Sequence, residues 1–311
     1  MRTVRTTGTL CFSITLALSI VGVAFDAAAK SPTAPAKAKL DTAKIEELTG
    51  TKGTLNEQEG VFKVSLPRTD LKVTVGKVKM SPPMGLTAWA AFVPVRGEVM
   101  VMGDIVLLED QVNPVMSVAL DNGLEVTALH NHFFGDTPKV MFMHVGGMGS
   151  VEKLATAIGK IFAKIREPSP GSTLGADELD AAKTSLDPKK IEDNLGEKGE
   201  LAKGVYKVTI GRTTKMHGQD MGNAMGVNTW AAFVGSDDKA VVDGDFAMLE
   251  SELQDVLKAL RGSGIQIVAI HNHMTMESPR IMFLHYWGIG PTAQLAQGLK
   301  AALGKTAHSK R

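Results

Sequence analysis

One stretch of this chain occurs twice. Residues 128–149, ALHNHFFGDTPKVMFMHVGGMG, return as residues 269–290, AIHNHMTMESPRIMFLHYWGIG. The first copy carries His130, His132 and His144, the second His271, His273 and His285, so six of the eight histidines belong to one pattern at a constant offset of 141. Between the copies Phe133, Phe134 and Gly135 change to Met274, Thr275 and Met276 while every histidine stays. The imidazoles are what the duplication has kept.

The same offset pairs 84–93, MGLTAWAAFV, with 225–234, MGVNTWAAFV, and pairs Gly103-Asp104 and Leu108-Glu109 with Gly244-Asp245 and Leu249-Glu250. With short gaps the match extends upstream, IEELTGTKG at 45–53 to IEDNLGEKG at 191–199 and GVFKVSL at 60–66 to GVYKVTI at 204–210. The expectation is a duplicated domain: repeat domain 1 at 40–166, a linker at 167–177 rich in Pro, Gly and Ser, and repeat domain 2 at 178–311. The two copies are expected to behave as independent domains related by an approximate two-fold axis.

Ahead of the first copy, Arg2 and Arg5 precede an apolar run at 10–25 and the small residues Ala27, Ala28 and Ala29. This reads as a secretory signal peptide, 1–29, cleaved near Ala29, followed by a Pro/Ala/Lys tether at 30–39. The apolar run is shorter than the ~20 residues of a membrane-spanning helix, so no transmembrane segment is expected and the destination is the periplasm or the medium. Cys11, the single cysteine, falls in the segment removed, and the residues before it do not form a lipid-attachment signal. Of 34 basic and 33 acidic residues, the loss of Arg2, Arg5 and Asp26 leaves 32 of each, interspersed. A nucleic-acid partner, which needs a basic patch, is excluded on that ground.

Within a copy the local signals are those of an α+β fold. Asp187-Pro188 before KKIEDNLG, with Gly196 after it, predicts a capped helix, and 41–50 its counterpart. VFKVSL, TAWAAFVPV and EVMVMGDIVLL are rich in β-branched and aromatic residues and predict strands. Ser251-Glu252-Leu253-Gln254 reads as a capping box opening a helix, and Pro114 as a first-turn residue of its counterpart. The histidine stretch then forms a hairpin turning at 135–138, and 150–164 closes the copy as an amphipathic helix. The fold class is α+β, a tandem duplication of a domain with a mainly antiparallel sheet and helices packed on one side.

The hairpin carries the chemistry. Alternation puts His130 and His132 on one face, and a turn centred between Asp136 and Thr137 places His144 opposite His130. Met141 and Met143 then point to the other face, into the core. Three imidazoles converging with one position open suit a divalent metal, zinc first and copper or non-haem iron as rivals. Asp136 and Glu277, four residues after the second histidine, are candidate fourth ligands. Asp104, Glu109, Asp245 and Glu250 recur in both copies as candidate catalytic or ligand-orienting carboxylates. Gly147-x-Gly149 and Gly288-x-Gly290 suit either a turn or an anion cradle, and Trp89 and Trp230 are assigned to the core. No nucleophile elbow, P-loop or dinucleotide fingerprint is present.

The set WAAF, GD, LE, HNH, a Pro-Lys/Arg strand ending in His and a G-x-G before a helix resembles the LppY/LpqO family of secreted bacterial proteins, whose domain of unknown function often occurs in tandem. The resemblance spans both copies and implies export and duplication, with no established activity. Two function classes follow. One is an exported protein with a trihistidine metal site in each repeat, working as a metal-dependent hydrolase or lyase. The other is a non-enzymatic envelope protein that binds a small molecule or envelope component, its histidines structural or lining a metal-free pocket.

Overall fold

The computed structural model describes residues 40–168 and 181–307. The expected signal segment, the tether and all but the first two residues of the linker lie outside the described residues.

The first copy opens with α1 (Thr42–Thr49), whose start is fixed by Asp41 accepting from the Lys44 N–H at 3.0 Å and whose end is the left-handed Gly50. Strands β1 (Gly53–Asn56), β2 (Val61–Pro67), β3 (Thr74–Val75) and β4 (Val78–Lys79) follow. The long strands β5 (Thr87–Val95) and β6 (Glu98–Leu108) lead into α2 (Glu109–Asp121). Next come β7 (Glu125–His130), the short β8 (Asp136–Thr137) and β9 (Val140–Gly149), and α3 (Val151–Arg166) ends the copy.

The second copy repeats this order. It runs α4 (Pro188–Leu195), β10 (Gly199–Ala202), β11 (Val205–Gly211), β12 (Thr214–Met216), β13 (Gln219–Met221), β14 (Asn228–Gly235) and β15 (Ala240–Leu249). After these come α5 (Leu253–Gly262), β16 (Gln266–His271), β17 (Ile281–Gly290) and α6 (Thr292–Leu303). As expected, Asp187 caps α4, accepting from the Lys189 N–H at 3.0 Å, and Gly196 ends it in the left-handed region.

Both copies lie in one twelve-stranded sheet, ordered β1-β2-β5-β6-β9-β7-β16-β17-β15-β14-β11-β10, and every pairing among the described residues is antiparallel. The order is a palindrome of equivalent strands, as an approximate two-fold axis through the centre requires. The copies therefore do not close as independent domains: the edge that each would expose at β7 or β16 is covered by the other.

That seam has its own chemistry. β7 meets β16 at Leu129 opposite Ile270, and each strand carries a bulge, between Val126 and Ala128 and between Ile267 and Ala269. The register skips Thr127 and Val268, while Val126 and Ile267 just before them keep their partners in β9 and β17 and turn their N–H and C=O to a side chain of the other copy. Asn113 on α2 satisfies both groups of Ile267, accepting at 2.8 Å and donating at 3.2 Å. Gln254 on α5 does the same for Val126 at 2.9 Å in each direction. Asn113 and Gln254 are equivalent residues, so each copy's helix completes the other copy's strand.

Helix α3 is held by burial of Leu154, Ile158, Ile161 and Phe162, each contributing about 1.5–3 kcal/mol. Glycines set where the helices lie: a Cβ on Gly147 would meet Leu154 of α3, and one on Gly288 would meet Leu295 of α6. Gly147 and Gly288 are thus strand positions that make room for a helix, neither turn nor anion cradle.

Two helix starts differ from expectation. α2 begins at Glu109, so Pro114 lies beyond its first turn. In the second copy the cap is at Leu249, whose N–H donates to Glu252 at 2.8 Å, and Ser251 has no capping role. Gln111 accepts from the Leu108 N–H at 3.1 Å in the equivalent place. An acceptor three residues into the helix reaches back to a backbone N–H, and the side chain at the cap position is apolar. The same two residues hold arginines that sequence reasoning passed over. Gln111 accepts from Arg68, which is 1% exposed, and Glu252 pairs with Arg212 at 2.9 Å.

Replacing Gln254 or Asn113 by Leu should lower stability by about 1–3 kcal/mol, the cost of leaving bulge groups without partners. Urea denaturation of each variant against the parent chain measures it.

Candidate functional site

The site is built on the ladder between β15 and β17. Across the sheet Thr209, Trp230, Asp245, His285 and Ala269 are successive partners, and in the first copy Ser65, Trp89, Asp104, His144 and Ala128 are their equivalents. Partners in a ladder share a face, so each Asp stands beside the last histidine of its copy. The tryptophans assigned to the core lie half-buried on this same face, with Lys63 4.0 Å over the Trp89 ring and Lys207 4.5 Å over that of Trp230.

The hairpin register differs from the expected one. His130 is opposite Phe142 and His144 is opposite Ala128, two positions from the pairing of His130 with His144. The connection is no tight turn, because Asp136–Thr137 leaves the hairpin to pair with β3 and the bulge offsets the strand behind it. A shift of two keeps every side chain on its face, and the imidazoles still meet. His130 and His144 approach to 2.9 Å between their Nε2 atoms, and the rings of His271 and His285 stack 4.7 Å apart.

β7 ends at His130, so His132 is positioned differently. Its ring lies flat on Phe142, centroids 3.3 Å apart, and His273 lies on Phe283 at 3.5 Å. These phenylalanines were not singled out from the sequence, although they recur at the same offset and alternate onto the histidine face.

In the second copy Asp245, His271 and His285 form a group that could hold a metal ion, each offering a ligand atom within 4.8 Å of the others. His273 joins them, its Nε2 3.0 Å from Asp245 Oδ2. Backbone carbonyls orient two of the rings: Gly244 O faces His285 Nδ1 at 3.2 Å and Gly226 O faces His273 Nδ1 at 3.2 Å. An Nδ1–H that donates to a carbonyl leaves the Nε2 lone pair for a ligand. For His273 this Nε2 faces the Asp245 carboxylate. Gly226 is the second residue of the duplicated MGV/MGL motif and adopts φ 79°, a left-handed conformation that favours glycine.

The electrostatics point the same way. Asp245 is 2% exposed, its Oδ1 has no hydrogen-bond partner, and its ion-pair partners among the described residues are the imidazoles of His271 and His273. Burial pushes its carboxyl above the usual range, opposed by His285, His271 and His273. Burial holds His271 below the ordinary imidazole value, with Asp245 opposing that shift. In the first copy Asp104 Oδ1 is likewise buried without a partner. Desolvation lowers His132, with Asp104 opposing and His130 and His144 reinforcing, which places the same four groups within electrostatic reach.

The remaining candidates lie elsewhere in the local structure. Asp136 and Glu277 accept the N–H groups of Val140 and Ile281, at 2.8 and 3.2 Å, and so brace the connection before β9 and β17. Glu109 and Glu250 are exposed at helix starts, Glu109 3.8 Å from Lys139.

A family profile described as Domain of Unknown Function (DUF1259) matches residues 43–164 and again 189–305. The chain belongs to this family, in two copies. No curated protein and no solved structure matches it.

His271 should titrate below the ~6.5 of a free imidazole, and Asp245→Asn should lower it further, since the carboxylate stabilises the protonated ring. A histidine-resolved NMR titration of both proteins checks the sign.

Proposed function

We propose that each copy binds one divalent metal ion, through His130, His132, His144 and Asp104 in the first and His271, His273, His285 and Asp245 in the second. The observation that carries this reading is the Asp245 carboxylate, buried, with one oxygen unpartnered and imidazoles as its counter-charge among the described residues. A buried carboxylate without compensation is costly, and a divalent ion supplies it. Nitrogen donors with one carboxylate and no cysteine favour zinc, with copper and iron as rivals.

The reaction class that fits is metal-dependent hydrolysis or elimination, since a bound ion would bring the pKa of its water to about 7. His132 and His273 are exposed at the rim, so the site is open to a substrate. We also infer export, on the signal-like 1–29 segment, and kinship with the LppY/LpqO secreted proteins, on the motifs described above.

The chain, produced without a histidine tag, should take up two zinc ions by calorimetry and elemental analysis. His130→Ala should remove one and His271→Ala the other, while Asp245→Asn should weaken the second site by tenfold or more, roughly the effect of losing a ligand or its support. Uptake should decline as pH falls through about 6.5, where protons compete for the imidazoles. No uptake would overturn the proposal, and loss of both ions from one substitution would replace two sites by one.

A further inference from the structure

The two copies agree at their histidines and differ beside one of them. A groove of about 870 Å³ runs between the copies, with His285 on its wall, within the size range of small-molecule sites. Leu129, Met141 and Val268 give it apolar surface. From the second copy it is also lined by Asp243, Arg261 and Trp287, where the first copy has Met102, Leu120 and Gly146. These three residues of the groove therefore have no polar or aromatic equivalent in the first copy, which contributes Glu109, Asp110, Asn113 and Lys139 from its own side.

Arg261 is half-buried and, among the described residues, bonds to neutral acceptors, Ser117 Oγ at 3.2 Å and the Ile265 carbonyl at 2.9 Å. No carboxylate is among its partners, and burial alone lowers its pKa. Trp287 offers a flat apolar ring, and its buried Nε1–H has no acceptor among the described residues. Among the described residues, this wall therefore presents an indole N–H without an acceptor and a guanidinium without a carboxylate partner. The other cation lining it, Lys139, already has Glu109 at 3.8 Å. Asp110 and Asp243 also line the groove and disfavour a ligand with several negative charges.

We propose that this groove binds a small organic monocarboxylate with a flat apolar body, the carboxylate taken by Arg261 and the body lying against Trp287. Binding in the groove does not depend on an ion. That the ligand is a substrate presented to the second site at His285 rests on the metal reading above.

The test uses 1-naphthoate as probe and neutral naphthalene as control, both in the presence of EDTA so that the carboxylate cannot simply ligate a metal. Naphthoate should shift the indole N–H resonance of Trp287, assigned with Trp287→Phe, and leave those of Trp89 and Trp230 in place. Arg261→Leu, the residue of the other copy, should weaken naphthoate by about tenfold or more, the loss expected for a charge-assisted hydrogen bond, and Arg261→Lys should restore part of it. Should Arg261→Leu fail to fold, the Trp287 shift and the preference for naphthoate over naphthalene in the parent chain decide. No Trp287 shift, or equal binding of the two probes, overturns the proposal even where two zinc ions are taken up. A Trp287 shift with Arg261 dependence in a chain that takes up no zinc upholds the groove and refutes only the metal site.

Discussion

The ten-residue antiparallel ladder between β15 and β17, with its counterpart between β6 and β9, is the constraint from which the site follows. It places Asp245 beside His285 and Asp104 beside His144, and alternation then sends the adjacent apolar residues into the core. A charged carboxylate and an imidazole are thereby held next to each other on a rigid sheet. Side chains on such a scaffold are positioned more narrowly than on loops. Phe142 and Phe283 extend the platform beyond the end of β7 and β16, so the third histidine is positioned by ring stacking where the ladder no longer reaches.

Duplication adds a second constraint. The β7 and β16 edges meet at Leu129 and Ile270, and beside the bulges the N–H and C=O groups of Val126 and Ile267 bond to the opposite copy's helix, through Gln254 and Asn113. The bulges lie two to four residues before the first histidine of each copy. Site geometry and the union of the copies are therefore coupled through the same strands. The union also creates the groove beside His285, which neither copy could form alone.

Charge is distributed unevenly over this frame. Among the described residues, the Asp245 carboxylate of the second site has imidazoles as its ion-pair partners, and Arg261 in the groove bonds to neutral acceptors. His285 borders both, as the ladder partner of Asp245 and as part of the groove wall.

How much of this was legible in the residues depends on the range of the interaction involved. Helix α4, its Asp187 cap and its Gly196 terminus are local, and so is the face shared by His130 and His132; the 141-residue offset was enough to find the duplication and all six histidines. Asp104 and Asp245 were visible as recurring carboxylates, but their place beside a histidine depends on which strand pairs with which. The hairpin register, the half-buried position of Trp89 and Trp230, the platform role of Phe142 and Phe283, and the Arg68 and Arg212 anchors all depend on partners distant in sequence. The repeated unit, its alternating faces and the recurrence of its histidines and carboxylates can be read from the residues alone, because these follow from backbone periodicity and residue type. That the copies share one sheet, that an aspartate stands beside the last histidine of each copy and that a groove opens beside one of them came from the folded chain, because strand pairing and the fit between surfaces are set by contacts that no local pattern encodes.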